Sequence, residues 1–462
     1  MTNKTPRLAS AAVAALLTFC ATAYGGVQIN RHPSNDQKDV HIASNGRAQA
    51  VTVWNSFNQD GSSGGIFGQL VKADGRISID EFQIHDDPNG NQAEPAVAMN
   101  TDGSFLVAWK GPSEAGDAHD IHVSLFDASG QRLSADTRVN DLTADTQRYP
   151  RVAPLTENRF IVTWESRGLP DRSNYAIAGR IIGPEGTPVG PELTLSDTST
   201  TARYADVDTD SLGNMVVVWM EDRSTDSIRA RLFDPNGMSL GASFAVNSER
   251  FRSITWPSVA VGTDGSFVVV WDGDTQRASD DDIHARKFAA NGEPTSDQFR
   301  VNTTLTGPQQ FPVIALDEHN GFQIAWQSRS DSPDLGLDVY IRLYDADCNA
   351  IGGEITANQH LMDDQRDPAI AYLGGGRFMT AWESEGQDGS GTGIFSLILP
   401  EPLSADYDAD GFVDFVDYGL LARGWLQQED RPAWDLTGDG LLNDNDLMQF
   451  CLQWLGPLEP TP

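Results

Sequence analysis

The stretch "GSFLVAW" at residues 103–109 ends in a tryptophan and recurs along the chain with small changes. It returns as "NRFIVTW" at 158–164 and as "GSFVVVW" at 265–271. Seven tryptophans occupy corresponding positions, separated by 55, 55, 55, 52, 55 and 56 residues: Trp54, Trp109, Trp164, Trp219, Trp271, Trp326 and Trp382. Self-similarity at a long, fixed period is typical of propellers and solenoids.

Each period contains four strand signals, named a to d in chain order. Examples are "PAVAM" (95–99) for strand a, "DVYIRLYD" (338–345) for strand c and "FAVN" (244–247) for strand d, while strand b ends at the tryptophan. Short turns such as "TDGS" and "PNGM" separate the strands, as tight antiparallel connections require. Four short strands repeated seven times predict an all-β fold, a seven-bladed β-propeller.

The two ends of the repeat region complement each other. The seventh unit stops after its strand c, "GIFSLIL" (393–399), whereas "GGVQIN" (25–30) has the character of a strand d. We therefore expect the N-terminal strand to complete the last blade and so remove the open sheet edges. The propeller is assigned to residues 24–399, with one tryptophan per blade as inter-blade core rather than as a ligand platform.

Charge and the N-terminal segment limit the classes of partner. A formal net charge of −34 over 462 residues argues against nucleic acid or an anionic membrane surface. Residues 1–23 read as a secretory signal peptide, with Lys4 and Arg7 before an apolar stretch and an A-x-A site at 21–23. The sequence thus predicts a secreted, extracellular or cell-surface protein, monomeric and without membrane insertion.

One position per blade is predicted to lie at the mouth of the central channel, just before the strand-a proline or its equivalent. In blade order these residues are Asp39, Glu94, Tyr149, Tyr204, Trp256, Phe311 and Asp367. Ring closure makes the three carboxylates neighbours and leaves the aromatics as the remaining arc. The hypothesis is a ligand site, with aromatics stacking on a sugar or apolar face and carboxylates holding hydroxyls or a cation. The alternative is that these residues only seal blade junctions.

Three arginines directly precede rim positions: Arg148, Arg203 and Arg366. They are predicted to add anion-binding capacity, because guanidinium groups pair with carboxylates and phosphates in two-pronged contacts. The b–c loops on the same face are predicted to be long and acidic, as in "GPSEAGDAHD" (111–120) and "SEGQDGSGTG" (384–393). Additional calcium in these loops is left open, and the two "DIH" segments at 120–122 and 282–284 are interpreted as strand architecture rather than metal ligands.

The stretch "DYDADGFVDFVD" (406–417) fits the twelve-residue EF-hand-like calcium loop, and a second match follows 29 residues later. Hard cations favour such clusters of oxygen ligands, so two Ca²⁺ ions are predicted. A helical signal follows each loop. The predicted ligands are Asp406, Asp408, Asp410, Phe412, Asp414, Asp417, Asp435, Thr437, Asp439, Leu441, Asn443 and Asp446.

Paired loop-helix units with Asp at the twelfth position resemble a type I dockerin domain. The resemblance covers about 404–456, and the domain is assigned to 405–456 between a linker at 400–404 and a tail at 457–462. It implies a small α-helical, calcium-folded module that docks onto a cohesin-like domain. Phe415-Val416 and Asp444-Asn445 replace the Ser-Thr pairs usual in that family.

Two functions are compatible with these observations. The first is a non-catalytic binding or scaffolding propeller, tethered by its dockerin to an extracellular assembly in a polysaccharide-related context. The alternative is a glycoside hydrolase or polysaccharide lyase with its active site on the loop-bearing face. In that case Asp39, Glu94 and Asp367 are the acid–base candidates, since glycoside chemistry uses paired carboxylates.

Overall fold

The computed structural model describes residues 26–399, except 48, 62, 88, 114–115, 144, 168–174, 198–199, 223–225, 275–280 and 330–335. The predicted signal segment, linker, dockerin-like segment and tail lie outside the described residues. The described part folds as seven four-stranded antiparallel sheets. It contains no helix long and apolar enough to cross a bilayer.

The sheets are the blades of a propeller, and each takes consecutive strands of the chain. Blades 1 to 3 contain β2 (Gln37–Ser44), β3 (Gln49–Ser56), β4 (Gly65–Lys72), β5 (Ile77–Gln83); β6 (Ala93–Met99), β7 (Phe105–Ser113), β8 (Gly116–Phe126), β9 (Thr137–Arg138); and β10 (Gln147–Pro154), β11 (Phe160–Ser166), β12 (Ala176–Ile182), β13 (Pro188–Thr194). Blades 4 and 5 contain β14 (Thr201–Thr209), β15 (Met215–Asp222), β16 (Ser227–Phe233), β17 (Phe244–Ala245); and β18 (Ser253–Val261), β19 (Phe267–Asp274), β20 (Asp282–Phe288), β21 (Phe299–Arg300). Blades 6 and 7 contain β22 (Gln309–Leu316), β23 (Phe322–Arg329), β24 (Leu337–Tyr344), β25 (Ala350–Thr356); and β26 (Gln365–Gly374), β27 (Arg377–Glu385), β28 (Thr392–Leu399), with β1 (Val27–Gln28). The predicted all-β, seven-bladed architecture is confirmed.

Blade 7 is closed by the N-terminal strand, as the sequence predicts. Its strand order is β1-β28-β27-β26, and Val27 pairs with Ser396. The amide of Ile29 continues the ladder with a 2.8 Å hydrogen bond to the carbonyl of Ile394. The last blade therefore holds together the two ends of the propeller.

The seven tryptophans form the core between blades. None is more than 2% exposed. Trp54 of blade 1 packs in one cluster with Ala369, Met379 and Ile394 of blade 7, which shows that the ring of blades closes through apolar contact. The interpretation of the tryptophans as inter-blade core is confirmed.

An asparagine directly after strand d joins that strand to strand c by hydrogen bonds. In blade 2, Asn140 accepts a 2.8 Å hydrogen bond from the amide of Ile121 and donates a 2.7 Å bond to Asp120. Asn302 makes the same two contacts in blade 5, at 2.8 and 2.7 Å. The histidines of the two "DIH" segments stack on the tryptophans of their own blades, with ring centroids 6.0 Å apart in each case. Both "DIH" segments thus serve the blade architecture.

Neighbouring blades are also clamped on their outer parts by arginines of strand c. Arg180, Arg231 and Arg286 each donate to a carbonyl at the end of strand d in the preceding blade, at 2.9, 3.1 and 3.0 Å. A charged donor makes such a bond stronger than one between neutral groups. In blade 7 the corresponding residue is Leu397, which packs against the apolar cluster between blades 6 and 7.

The b–c and d–a connections lie on the same face, as predicted, and the tight a–b and c–d turns lie on the opposite one. Contact between the first two kinds of connection is direct in blade 1, where the amide of Gln92 donates a 2.9 Å hydrogen bond to the carbonyl of Gly64. The prediction of a long b–c loop at 111–120 is wrong. Strand β7 extends to Ser113 and β8 begins at Gly116, because the backbones there continue the antiparallel ladder as far as the Ser113–Gly116 pair.

Candidate functional site

The seven predicted channel-mouth residues, here called the rim residues, share one backbone geometry. Each lies at a β-bulge in strand a, opposite the tryptophan of its own blade; in blade 2, Glu94 and Pro95 together face Trp109. The bulges recur at Asp39, Glu94, Tyr149, Tyr204, Trp256, Phe311 and Asp367. Strand a therefore begins before the proline, and the rim residues lie inside the strand rather than before it.

All seven rim residues have positive φ angles, between 45° and 57°. None is glycine, and a left-handed conformation costs an ordinary residue about 1–2 kcal/mol. Proline follows the rim residue in five blades. Proline has no amide to give to a ladder and is tolerated in sheets at bulges, so the sequence favours a bulge at this point.

Side chains from the preceding blade hold most of these bulges in place. The residue directly after the tryptophan of one blade accepts a hydrogen bond from the rim amide of the next. The pairs are Glu383 with Asp39 (2.6 Å), Glu165 with Tyr204 (2.6 Å), Asp272 with Phe311 (3.1 Å) and Gln327 with Asp367 (2.9 Å). The rim backbone thus seals the blade junctions, and all rim residues except Tyr204 line the channel.

At the junction between blades 2 and 3, a different pair of residues supports the rim amide. Lys110 occupies the position after the tryptophan and has no acceptor to offer. Glu94 accepts from Lys110 Nζ through one oxygen and from the amide of Tyr149, at 2.7 Å, through the other. Both oxygens of Glu94 are therefore engaged, one of them in an ion pair with a lysine.

Asp367, Asp39 and Glu94 form one side of the mouth, here called the carboxylate arc. Beneath it lies Glu383, whose side chain is 2% exposed and whose Oε2 accepts from Arg366 Nε at 3.3 Å. Burial and the charges of Asp367 and Asp39 raise the pKa of Glu383 to about 8. Sequence analysis missed Glu383, although a charged residue directly after a buried tryptophan is a usable signal.

The other two carboxyl groups of this arc hold protons more tightly than usual, although that of Asp39 also accepts hydrogen bonds from the Glu94 amide and from Asn55. Burial raises the pKa of Asp367 to about 6, and the charge of Asp39 adds to the effect. Asp39 is exposed to the channel, yet the loss of surrounding water, with the charge of Glu94, raises its pKa as well. Asp367 therefore exchanges its proton near pH 6, a range in which ordinary surface aspartates remain ionised.

The other side of the mouth is the aromatic arc, formed by Tyr149, Tyr204, Trp256 and Phe311. Tyr204 and Trp256 lie closest, with ring centroids 4.2 Å apart, and Phe311 follows at 4.9 Å from Trp256. Tyr149 meets the edge of Trp256 at 6.0 Å, although one blade separates them. All four side chains are half-buried, so they offer a continuous apolar surface to the channel mouth.

The three predicted anion-binding arginines lie in different environments. Arg366 is held by Glu383, Asp364 and Asp367. Arg148 pairs with the buried carboxylate of Glu165, Nε to Oε2 at 3.0 Å. The remaining one, Arg203, stacks on a tyrosine of the b–c connection and has no ion pair with a described carboxylate at salt-bridge distance.

The channel behind the rim is a cavity of about 630 Å³. Polar residues that sequence analysis missed line it: His41, Arg151, Asp206 and Asp208. Asp206 and Asp208 accept hydrogen bonds from the amides of Val259 and Val261 in blade 5, at 3.0 and 2.8 Å. Burial raises the pKa of Asp208 to about 7. The available signal is a charge two or four residues after the rim position of an otherwise apolar strand.

The calcium ligands predicted at 406–446 lie outside the described residues. Within the described ranges, no group of three or more His, Cys, Asp or Glu side chains is placed to hold a metal. Calcium in the b–c loops stays a prediction, since several of these loops are only partly described.

No protein-family model matches this sequence, and no curated protein matches it. Solved structures match in fold. An ulvan lyase of polysaccharide lyase family PL25 has a TM-score of 0.50 at 10% identity, over 81% of this chain and 96% of that one. An α-L-arabinanase from Penicillium chrysogenum gives 0.48 at 13% identity, over 66% and 93%. The β-propeller domain of the Trilobed protease from Pyrococcus furiosus gives 0.46 at 9% identity, over 78% and 93%. At these identities the likeness shows the fold alone.

Proposed function

We propose that the propeller is a polysaccharide-active domain, with a sugar chain bound across the rim and Asp39 and Asp367 as its acid–base pair. The observation that carries this proposal is the placement, at one channel mouth, of two carboxyl groups with raised pKa values and a four-membered aromatic surface. Aromatic faces stack on the apolar faces of sugar rings, and carboxyl groups supply the proton transfers of glycosidic cleavage.

Asp367 suits the role of general acid. A carboxyl group with a pKa of about 6 remains partly protonated near neutral pH and has a proton to give to a leaving oxygen. Glu383 is too buried to touch a sugar, so it acts as a positioning residue that fixes the bulge of Asp39 and the guanidinium of Arg366. Chain cleavage should therefore decline as the pH rises above about 6.

The comparison with known structures supports the chemistry only indirectly. The PL25 ulvan lyase is a polysaccharide lyase on the same fold, so a propeller is compatible with such a reaction. Fold likeness does not transfer an activity, and the site residues must therefore carry the proposal.

A panel of polysaccharides incubated with the full chain tests the proposal. We expect new reducing ends or unsaturated sugars with at least one of them. Activity should fall by about a hundredfold in Asp39→Asn or Asp367→Asn, since general acid–base groups contribute about 10²–10⁴ in rate. The matched control is Asp264→Asn, in the tight turn before β19 on the opposite face. Loss of activity in all three variants, or in none, contradicts the assignment.

A second candidate, the non-catalytic glycan-binding propeller, is favoured by the engagement of rim carboxylates in blade contacts. Glu94 is paired with Lys110, and Asp367 lies 3.9 Å from Arg366. The same panel separates the two functions. Retention of a glycan without any new chain end, in wild type and in Asp367→Asn alike, selects the binder.

We further propose that the segment 404–456 is a dockerin that binds two Ca²⁺ ions and tethers a secreted propeller to a cohesin-like partner. The support is the double match to the calcium-loop pattern. Calorimetric titration of the full chain with CaCl₂ should show two sites, and Asp406→Ala and Asp435→Ala should each remove one. Titrations that are identical in wild type and both variants would refute the module.

A further inference from the structure

One group of side chains beside the aromatic arc is not explained by acid–base chemistry. Tyr175, in the connection between β11 and β12, lies between two arginines. The guanidinium carbon of Arg148 is 4.3 Å from the centroid of its ring, and that of Arg203 is 5.0 Å away. We call Arg148, Tyr175 and Arg203 the arginine stack.

The arginine stack belongs to the rim. Arg148 and Arg203 directly precede the aromatic-arc residues Tyr149 and Tyr204, and the carbonyl of Tyr175 accepts a 3.0 Å hydrogen bond from the amide of Ala202. The guanidinium of Arg148 also lies 5.0 Å from the ring of Tyr149. Cations and stacking surfaces are thus next to each other.

Within the described part of the chain, the stack carries more positive than negative charge. Of the residues that the structure describes, Glu165 interacts with the charges of both guanidinium groups, and it already accepts from Arg148 and from the amide of Tyr204. Among the described residues, Arg203 Nε is buried without a hydrogen-bond acceptor. A guanidinium group that stacks on a ring and has no described carboxylate at salt-bridge distance favours an anionic group from outside.

Resting on the proposed function, we propose that the sugar bound at the rim is anionic, with its carboxylate or sulfate on Arg203 and its ring on the aromatic arc. The carboxylate arc, across the mouth, repels a second anion and receives hydroxyl groups. The site therefore selects a sugar chain that presents an acidic group to Arg203 at the channel mouth.

The net charge of −34 excludes a general electrostatic attraction of acidic polymers to this protein. Preferential binding of an acidic probe therefore indicates a specific contact. Full-length protein is titrated with three length-matched probes: oligogalacturonate, κ-carrageenan oligosaccharide and neutral galacto-oligosaccharide. We expect a carboxylated or a sulfated probe to bind about tenfold more tightly than the neutral one, as one charge-assisted contact allows. The preferred probe identifies the anion.

Arg203→Gln should reduce the affinity for the acidic probe to that for the neutral probe. The control Arg76→Gln removes the same charge from a turn on the opposite face and should change nothing. Arg203→Lys keeps the charge without the two-pronged geometry and should lose several-fold, which gives a second result if the Gln variant does not fold. Equal affinity for acidic and neutral probes overturns the inference and leaves the proposed function intact. Failure of every probe to bind contradicts both.

Discussion

The carboxylate arc and the aromatic arc are built on the same backbone and do different things. Every rim residue occupies a positive-φ bulge opposite a buried tryptophan, whether its side chain is Asp367 or Trp256. The repeat fixes where the side chains are placed, and the individual residues then decide the chemistry. In this propeller, position and side-chain chemistry are therefore separate properties of the same seven residues.

The two arcs also differ in what supports them from below. The amide of Asp39 donates to Glu383, which also accepts from Arg366, so Asp39 is supported by a buried polar network. Trp256 follows a junction where the position after the tryptophan is Met220, which offers no comparable acceptor. The carboxylate arc is thus held by polar contacts, and the aromatic arc by the packing of its rings against one another.

The largest stability effect is expected for Glu383→Ala. It leaves the Asp39 amide and the Arg366 guanidinium without their shared buried acceptor, and breaking a buried pair costs about 3–5 kcal/mol. Chemical unfolding followed by tryptophan fluorescence measures the loss. Glu383→Gln keeps one of the two acceptor oxygens and should cost less. Equal losses in the two variants would show that packing, and not hydrogen bonding, supports the carboxylate arc.

Trp256→Ala should have a smaller effect on stability and a clear one on ligand binding. The indole contacts three neighbours in the aromatic arc, and such ring contacts contribute about 0.5–1.5 kcal/mol each beyond burial. Glycan retention should fall by about tenfold or more. Tyr372→Ala, on strand a at the opposite end of the channel, is the matched control. Equal glycan retention in the two variants would contradict a specific role of the aromatic arc in ligand binding.

The carboxylate arc should make stability depend on pH. The pKa values of Asp367 and Glu383 are raised to about 6 and about 8, whereas unfolded carboxyl groups titrate near about 4. Between these values the folded chain binds more protons than the unfolded chain, so the free energy of unfolding falls as pH rises from about 4 to about 8. Melting curves of wild type and Asp367→Asn measure this. A slope unchanged by the substitution would assign the dependence to other groups.

The smallest effect is expected for Met220→Gln, which supplies an acceptor at the position that Gln327 uses in blade 6. One additional hydrogen bond to the Trp256 amide should raise the free energy of unfolding by about 1 kcal/mol. Chemical unfolding, as for Glu383→Ala, measures the gain. A destabilised variant would show that the aromatic arc requires an apolar residue beneath it.

Much of the fold follows from the sequence. The tryptophan period, the turn signals and the displaced strand d predict seven blades and their closure, since each depends on local pattern and repetition. The rim residues are also predictable, because their place before the strand-a proline or its equivalent recurs in every blade.

The supports of the rim are not predictable in the same way. Residues directly after the tryptophans vary in chemistry from Lys110 to Met220 to Glu383, so the repeat marks their position but not their contacts. Their contacts connect neighbouring blades. Glu383 and Asp39, for example, are 344 positions apart in the sequence. The arginine stack likewise depends on Tyr175 reaching two strands in different blades.

A crystal structure of the full chain with the oligosaccharide that binds best in the polysaccharide panel tests the role of the rim most directly. We expect a sugar ring against Trp256 and Tyr204 at the channel mouth, with its reactive end beside Asp39 and Asp367. A sugar bound on the tight-turn face or on the outer edge of a blade, with the rim free, would contradict the proposed function.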